Sequence, residues 1–286
     1  MTTLLENDHL SIGVSSAGAE LTSIFNKKRQ QEFLWQGHAQ WWPRRAPVLF
    51  PIVGKLNQNS YRVHGTTFTL PQHGFARDSE FAWRDSSTDS VSLELKSGDE
   101  TRARFPFDFS LMISYHLHGG TLTTQYTIRN TGSSLLPFSI GAHPGFAFSA
   151  GETLSDYYIE FEKPEKLSRH LIQDGVFTGE TEPVLDGKIL PISDDLMKKD
   201  AIVFKDMKSD TLVLKSRISD YCLKFHAAEF PYFGIWAKPG GPFVCLEPWC
   251  GLADNQDFRG DLSEKEGINI LQPGETFVRG YAVTPG

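Results

Sequence analysis

The chain has 286 residues, 40% of them hydrophobic, which is enough to bury a sizeable core. Its net charge of -7 repels nucleic acid and anionic membranes, and no Lys/Arg-rich run overrides that field locally. No apolar stretch approaches the length needed to cross a bilayer, so the partner expected is a small, neutral or weakly charged molecule.

The opening Met1-Thr2-Thr3-Leu4-Leu5-Glu6-Asn7-Asp8 has no basic head and no apolar h-region, so no secretory signal is expected. Residues 36–59 read as a long loop carrying Trp41, Trp42 and Phe50. With Trp35 these form an aromatic cluster that suits a core, a loop anchor or a pocket wall. Clean alternation begins at Ser90-Val91-Ser92-Leu93-Glu94-Leu95. It resumes over 109–115 and 121–128, on either side of a hairpin signal at His118-Gly119-Gly120. Residues 142–153 form a second long loop. Further strands are expected at 157–161, 211–214, 221–225, 233–236, 243–246 and 276–283, separated by turns rich in Gly, Pro, Asn and Asp.

Helical periodicity is scarce; Ser193 is the expected N-cap of one short helix over Asp194-Asp195-Leu196-Met197. No linker, composition shift or repeat marks a boundary, so residues 1–286 read as a single all-β domain. Its expected fold is a large antiparallel β-sandwich with few short helices. Three cysteines, Cys222, Cys245 and Cys250, lack a framework spacing and read as reduced thiols of a cytoplasmic protein.

Three segments place a proton-transferring side chain beside a turn former and an aromatic ring: Gln72-His73-Gly74-Phe75-Ala76-Arg77, Gly141-Ala142-His143-Pro144-Gly145-Phe146 and Leu246-Glu247-Pro248-Trp249. His73 follows a strand-like run and precedes a Gly turn, which fits either an imidazole pushed into a cleft or a loop histidine bonded to backbone. His143 lies among small residues that leave room for a ligand, with Pro144 stiffening the turn. Glu247 ends an apolar run, where a carboxylate is costly unless it is paired or serves as a base with a raised pKa. Trp249 offers a ring that can stack on the C–H face of a sugar. His116 and His118 share a strand face in the spacing of some metal sites, but they run into a hairpin tip, where such pairs are usually solvated. Asp194, Asp195, Asp200 and Asp206 read as a solvated acidic face. No nucleotide-binding glycine fingerprint, Walker loop or G-x-S-x-G elbow is present.

Taken in order, with Gly18-Ala19-Glu20-Leu21, Leu49-Phe50-Pro51-Ile52-Val53-Gly54 and Gln272-Pro273-Gly274-Glu275, these segments resemble the aldose 1-epimerase (galactose mutarotase-like) family and its LacX-like branch. The resemblance implies a supersandwich fold with an open cleft, and interconversion of the α and β anomers of a free aldose without cofactor or metal. It implies Glu247 as general base at the anomeric hydroxyl and His143 as general acid at the ring oxygen, on opposite sides of the C1/O5 pair. His73 and Asp200 are implied to bind the sugar. Where better-known galactose mutarotases carry an arginine, this chain has Lys55, with Arg77 as a second candidate for those contacts. The alternatives are a non-catalytic sugar-binding module and a hexose-6-phosphate epimerase using Lys55, Arg77, Arg44 and Arg45 as a phosphate pocket.

Overall fold

Side-chain alternation explains the larger layer directly. The computed structural model describes residues 2–286. In it, Ser90–Lys96, Phe109–His118 and Thr121–Asn130 are neighbouring antiparallel strands. Leu93, Ile113 and Tyr126 stand abreast, as do Leu95, Leu111 and Ile128, so every second side chain enters the same core. Gly119 and Gly120 form the tight turn between the second and third strands, with Gly119 at φ 54°. These strands belong to a nine-stranded sheet that also contains Thr211–Ser216, Cys222–His226 and Thr276–Pro285.

A six-stranded sheet forms the second layer. It runs Ile202–Phe204, Tyr232–Trp236, Phe243–Cys250, Ile140–Ala142 and Val48–Leu49, with Gly145–Ala147 pairing onto Phe243–Cys250 as well. The main hydrophobic core draws Leu93, Ile113, Leu214 and Val283 from the first sheet and Ile202, Phe233, Ile235 and Val244 from the second, so it fills the space between them. This is an antiparallel β-sandwich with, among the described residues, only two short α-helices, Asp99–Arg102 and Asp194–Met197. Ser193 caps the second, accepting from Leu196 N–H at 3.3 Å, as its sequence predicts. No helix among the described residues is long and apolar enough to cross a membrane.

Phe243–Cys250 is buried on both faces, which is why it reads as an apolar run rather than an alternating one. Val244, Leu246 and Cys250 join the main core. Phe243, Cys245 and Trp249 point to the outer side, into two smaller apolar clusters, and Glu247 lies on that outer face with them. A long hairpin, Tyr157–Gln173 and Val176–Pro191, starts in the nine-stranded sheet and carries its tip across to this outer face.

Candidate active site

A cavity of about 280 Å³ opens on the outer face of the six-stranded sheet. Glu247, His143, His73, Arg77, Asp200 and Trp249 all line it, although they come from segments remote in sequence.

The pairing of His143 with Glu247 follows from strand register. Gly141 is opposite Trp249 on one side of the interruption, and Gly145 is opposite Cys245 on the other. The two ladders are in the same register across His143-Pro144, which places His143 abreast of Glu247. Pro144 supplies no N–H to the ladder, but its carbonyl still accepts from Leu246 N–H at 3.2 Å. Cross-strand neighbours share a face at close range, and His143 Nε2 stands 3.3 Å from Glu247 Oε2. The imidazole is fixed by rings: Trp42 stacks on it at 4.8 Å between centroids, and Trp236 meets it edge-on at 5.8 Å. The aromatic cluster around Trp42 thus includes a pocket wall, whereas Phe50 belongs to the main core.

Burial sets the electrostatics. The Glu247 carboxyl is pushed well above the usual carboxylate range, first by desolvation and then by the Asp200 charge. Desolvation also brings the His143 imidazole down to about 3, with Arg77 and Arg44 acting in the same direction. Cys245 lies two residues before Glu247 on the same face. Its thiol and the ligand atoms of His143 and Glu247 fall within 4.8 Å of one another, and burial holds that thiol protonated. His116 and His118 stand exposed on the nine-stranded sheet, away from this group.

His73 is clamped by Gly54. Its N–H donates to the Gly54 carbonyl at 2.8 Å, and Gly54 N–H donates to His73 Nδ1 at 3.1 Å. An accepting Nδ1 leaves the ring proton on Nε2, so His73 is a neutral hydrogen-bond donor, as the strong downward effect of burial on its pKa requires. Both readings of His73 therefore hold: it is a backbone-bonded histidine and it faces the cavity. His73 (φ 66°) and Asp200 (φ 67°) both occupy the left-handed region, a strained conformation that side chains at sites often adopt. Asp200 lies at the exposed rim, with Oδ1 accepting from Ala201 N–H at 2.7 Å. Arg77 donates to the Gln72 carbonyl at 2.6 Å, and its buried Nε forms no hydrogen bond, with Asp78 Oδ2 3.6 Å away.

Lys55 does not line the cavity. Its ammonium donates to the Asp174 carbonyl at 2.8 Å, and its stem packs under Gly175, where an added Cβ would lie 2.9 Å from Lys55 Cδ. It is a strut for the hairpin tip that brings Ile172, Gly175 and Phe177 over the cavity, and the nearby cation that lines the cavity is Arg77. The sequence reading did not find these hairpin residues or Trp236, and no pattern in the chain marks them. The expectation of acid and base on opposite sides is also corrected, because register sets His143 and Glu247 side by side.

Two glycines make room for Trp249. A Cβ on Gly141 would lie 2.7 Å from its ring, and one on Gly234 would lie 2.8 Å away. Gly234→Ala should displace the indole and cost about 1–3 kcal/mol of stability; denaturant unfolding measures this.

The aldose 1-epimerase family model matches residues 1–282. The LacX protein of Lactococcus lactis subsp. lactis is 31% identical over 99% of both chains. A galactose mutarotase related enzyme from Lactobacillus acidophilus superposes with a TM-score of 0.96 at 32% identity, covering 100% of this chain and 97% of the other. A galactose mutarotase-like protein from Lactobacillus casei gives a TM-score of 0.95 at 32% identity, with both chains fully covered. The sandwich, the cavity on its outer face and these matches along the whole length agree: the chain belongs to the aldose 1-epimerase family.

Proposed function

We propose that this protein is an aldose 1-epimerase that opens and recloses the ring of a free monosaccharide, with Glu247 and His143 as its acid–base pair. One observation carries the reading. Both Glu247 oxygens, His143 Nδ1, Trp249 Nε1 and Arg77 Nε are buried without hydrogen-bond partners, and all five belong to residues lining one cavity of monosaccharide size. Buried polar atoms are rarely left so unless a ligand completes them.

The contact between His143 and Glu247 makes them a unit that shares one proton. With Glu247 ionised and His143 protonated, the carboxylate takes the proton of the C1 hydroxyl while the imidazolium gives its proton to the ring oxygen. Both oxygens are bonded to C1, so side-by-side groups suit them. The C1–O5 bond breaks, and the pair is left as a carboxylic acid beside a neutral imidazole. That is the uncharged form which burial favours. Rotation about C1–C2 presents the other face of the aldehyde, and the two proton transfers reverse. Trp249 stacks on the sugar, while His73, Asp200 and Arg77 hold its hydroxyls. No metal or redox cofactor enters these steps.

Of Lys55, Arg77, Arg44 and Arg45, Arg77 alone lines the cavity, and Arg44 is paired with Asp78 at 2.9 Å. That favours a neutral aldose over a hexose 6-phosphate as substrate. Polarimetry of freshly dissolved α-glucose or α-galactose tests the function: the protein should accelerate the drift to equilibrium. Sugar binding without acceleration would support a binding module instead.

The pH dependence follows from the same burial. The one-proton state persists from the lowered pKa of His143, about 3, up to the raised pKa of Glu247. The acid limb of kcat/KM should therefore fall well below the ordinary histidine value of about 6.5. A rate profile that halves near pH 6.5 would contradict the shared-proton unit.

A further inference from the structure

A second cavity, of about 390 Å³, lies among Leu56–Arg62 and 254–265, outside the site described above. Its lining includes three cations, Arg62, Arg259 and Lys265, and one carboxylate, Asp254, in a chain whose net charge is -7. Lys265 is almost fully buried. Its Nζ lies 3.3 Å from Asp254 Oδ1 and donates to the Ala253 carbonyl at 2.9 Å, so that pair is locally neutral. The two arginines are not neutralised: among the described residues neither forms an ion pair.

Both guanidiniums are positioned rather than compensated. Arg62 donates to the Arg259 carbonyl, and Arg259 donates to the carbonyls of Gln256 and Phe258 at 2.8 and 2.7 Å. The nearby carboxylates of Asp261 and Glu264 do not line the cavity; they accept from the backbone N–H groups of His64 and Asp261. Two consecutive lining or rim residues, Gln58 (φ 55°) and Asn59 (φ 54°), are held in the left-handed region, and Gln58 lines the cavity. Tyr61 and Phe258 supply aromatic wall.

We infer that this cavity binds a phosphate dianion, free or carried as a monoester on a small polar molecule. The two guanidiniums, exposed at this cavity and without acidic partners, are able to grip phosphate oxygens, while Lys265 offsets the Asp254 carboxylate that would otherwise repel the anion. Isothermal titration of the whole protein with inorganic phosphate and, separately, with glucose 6-phosphate tests this at low salt. Wild type should bind at least one of the two saturably; tighter binding of glucose 6-phosphate that the double variant below loses would identify a monoester as the occupant, and equal binding would identify the free dianion. The double variant Arg62→Gln/Arg259→Gln should lose at least about tenfold in affinity. Arg77→Gln, in the first cavity, should leave the inorganic phosphate isotherm unchanged. Matching thermal unfolding transitions would show that the variants fold. No binding of either probe, or phosphate binding lost in Arg77→Gln but kept in the double variant, would overturn the inference.

Discussion

Glu247→Gln should reduce the mutarotation kcat/KM by about 10³-fold or more while the protein stays folded. A positioned general acid or base contributes roughly 10²–10⁴-fold, and here one substitution disables both partners. The amide cannot accept the C1 hydroxyl proton, and it removes the charge that makes protonated His143 accessible. Stability should not suffer. The carboxyl is buried and its one close polar neighbour is His143 Nε2 at 3.3 Å, to which an amide N–H can still donate, so an isosteric neutral group relieves desolvation instead of orphaning a partner. Polarimetry and thermal unfolding on the same preparation measure both halves. Full activity in Glu247→Gln would remove the base assignment; a collapsed fold would make Glu247 a structural residue.

Gly74→Ala should cost about 3 kcal/mol of stability and raise the KM for sugar. Gly74 has φ 71°, and a Cβ there would lie 2.2 Å from the Phe50 carbonyl oxygen. That oxygen cannot yield cheaply, because it accepts from Phe75 and Ala76 N–H at 3.0 and 3.1 Å while the Phe50 ring sits in the main core. The chain must therefore move at His73-Gly74, which also opens the Gly54–His73 clamp that fixes the imidazole tautomer. Denaturant unfolding gives the stability change, and titration with sugar gives the loss of binding. A variant within about 0.5 kcal/mol of wild type would show that this turn is less constrained than the Phe50 contact requires.

How far the sequence could be read depends on where each signal resides. The strands over 90–96, 109–118 and 121–130 were legible because a half-buried strand writes its burial into a period of two. The arm Val176–Pro191 was not, since few of its residues are buried and Gly179, Pro183 and Gly187 punctuate it like a loop. Residues 142–153 read as a loop, yet Gly145–Ala147 is a strand, too short for alternation to register. The helix Asp99–Arg102 is likewise shorter than the period that would reveal it.

At the site, the unusual cost of Glu247 was visible as a carboxylate ending an apolar run. Its pairing with His143 came from the resemblance and from no local pattern, because the ladder that sets His143 abreast of it joins positions about a hundred residues apart. Lys55 was misread for a related reason. Family resemblance carries a position but not the direction of a flexible side chain, and here the ammonium turns to the Asp174 carbonyl at the hairpin tip.

A crystal structure of the Glu247→Gln protein with a bound aldose addresses the acid–base assignment most directly. The sugar should lie on Trp249 with its C1 hydroxyl within about 3.2 Å of the residue 247 side chain and its ring oxygen within the same reach of His143 Nε2. A sugar seated elsewhere, or one turned so that C1 faces away from both groups, would contradict the account.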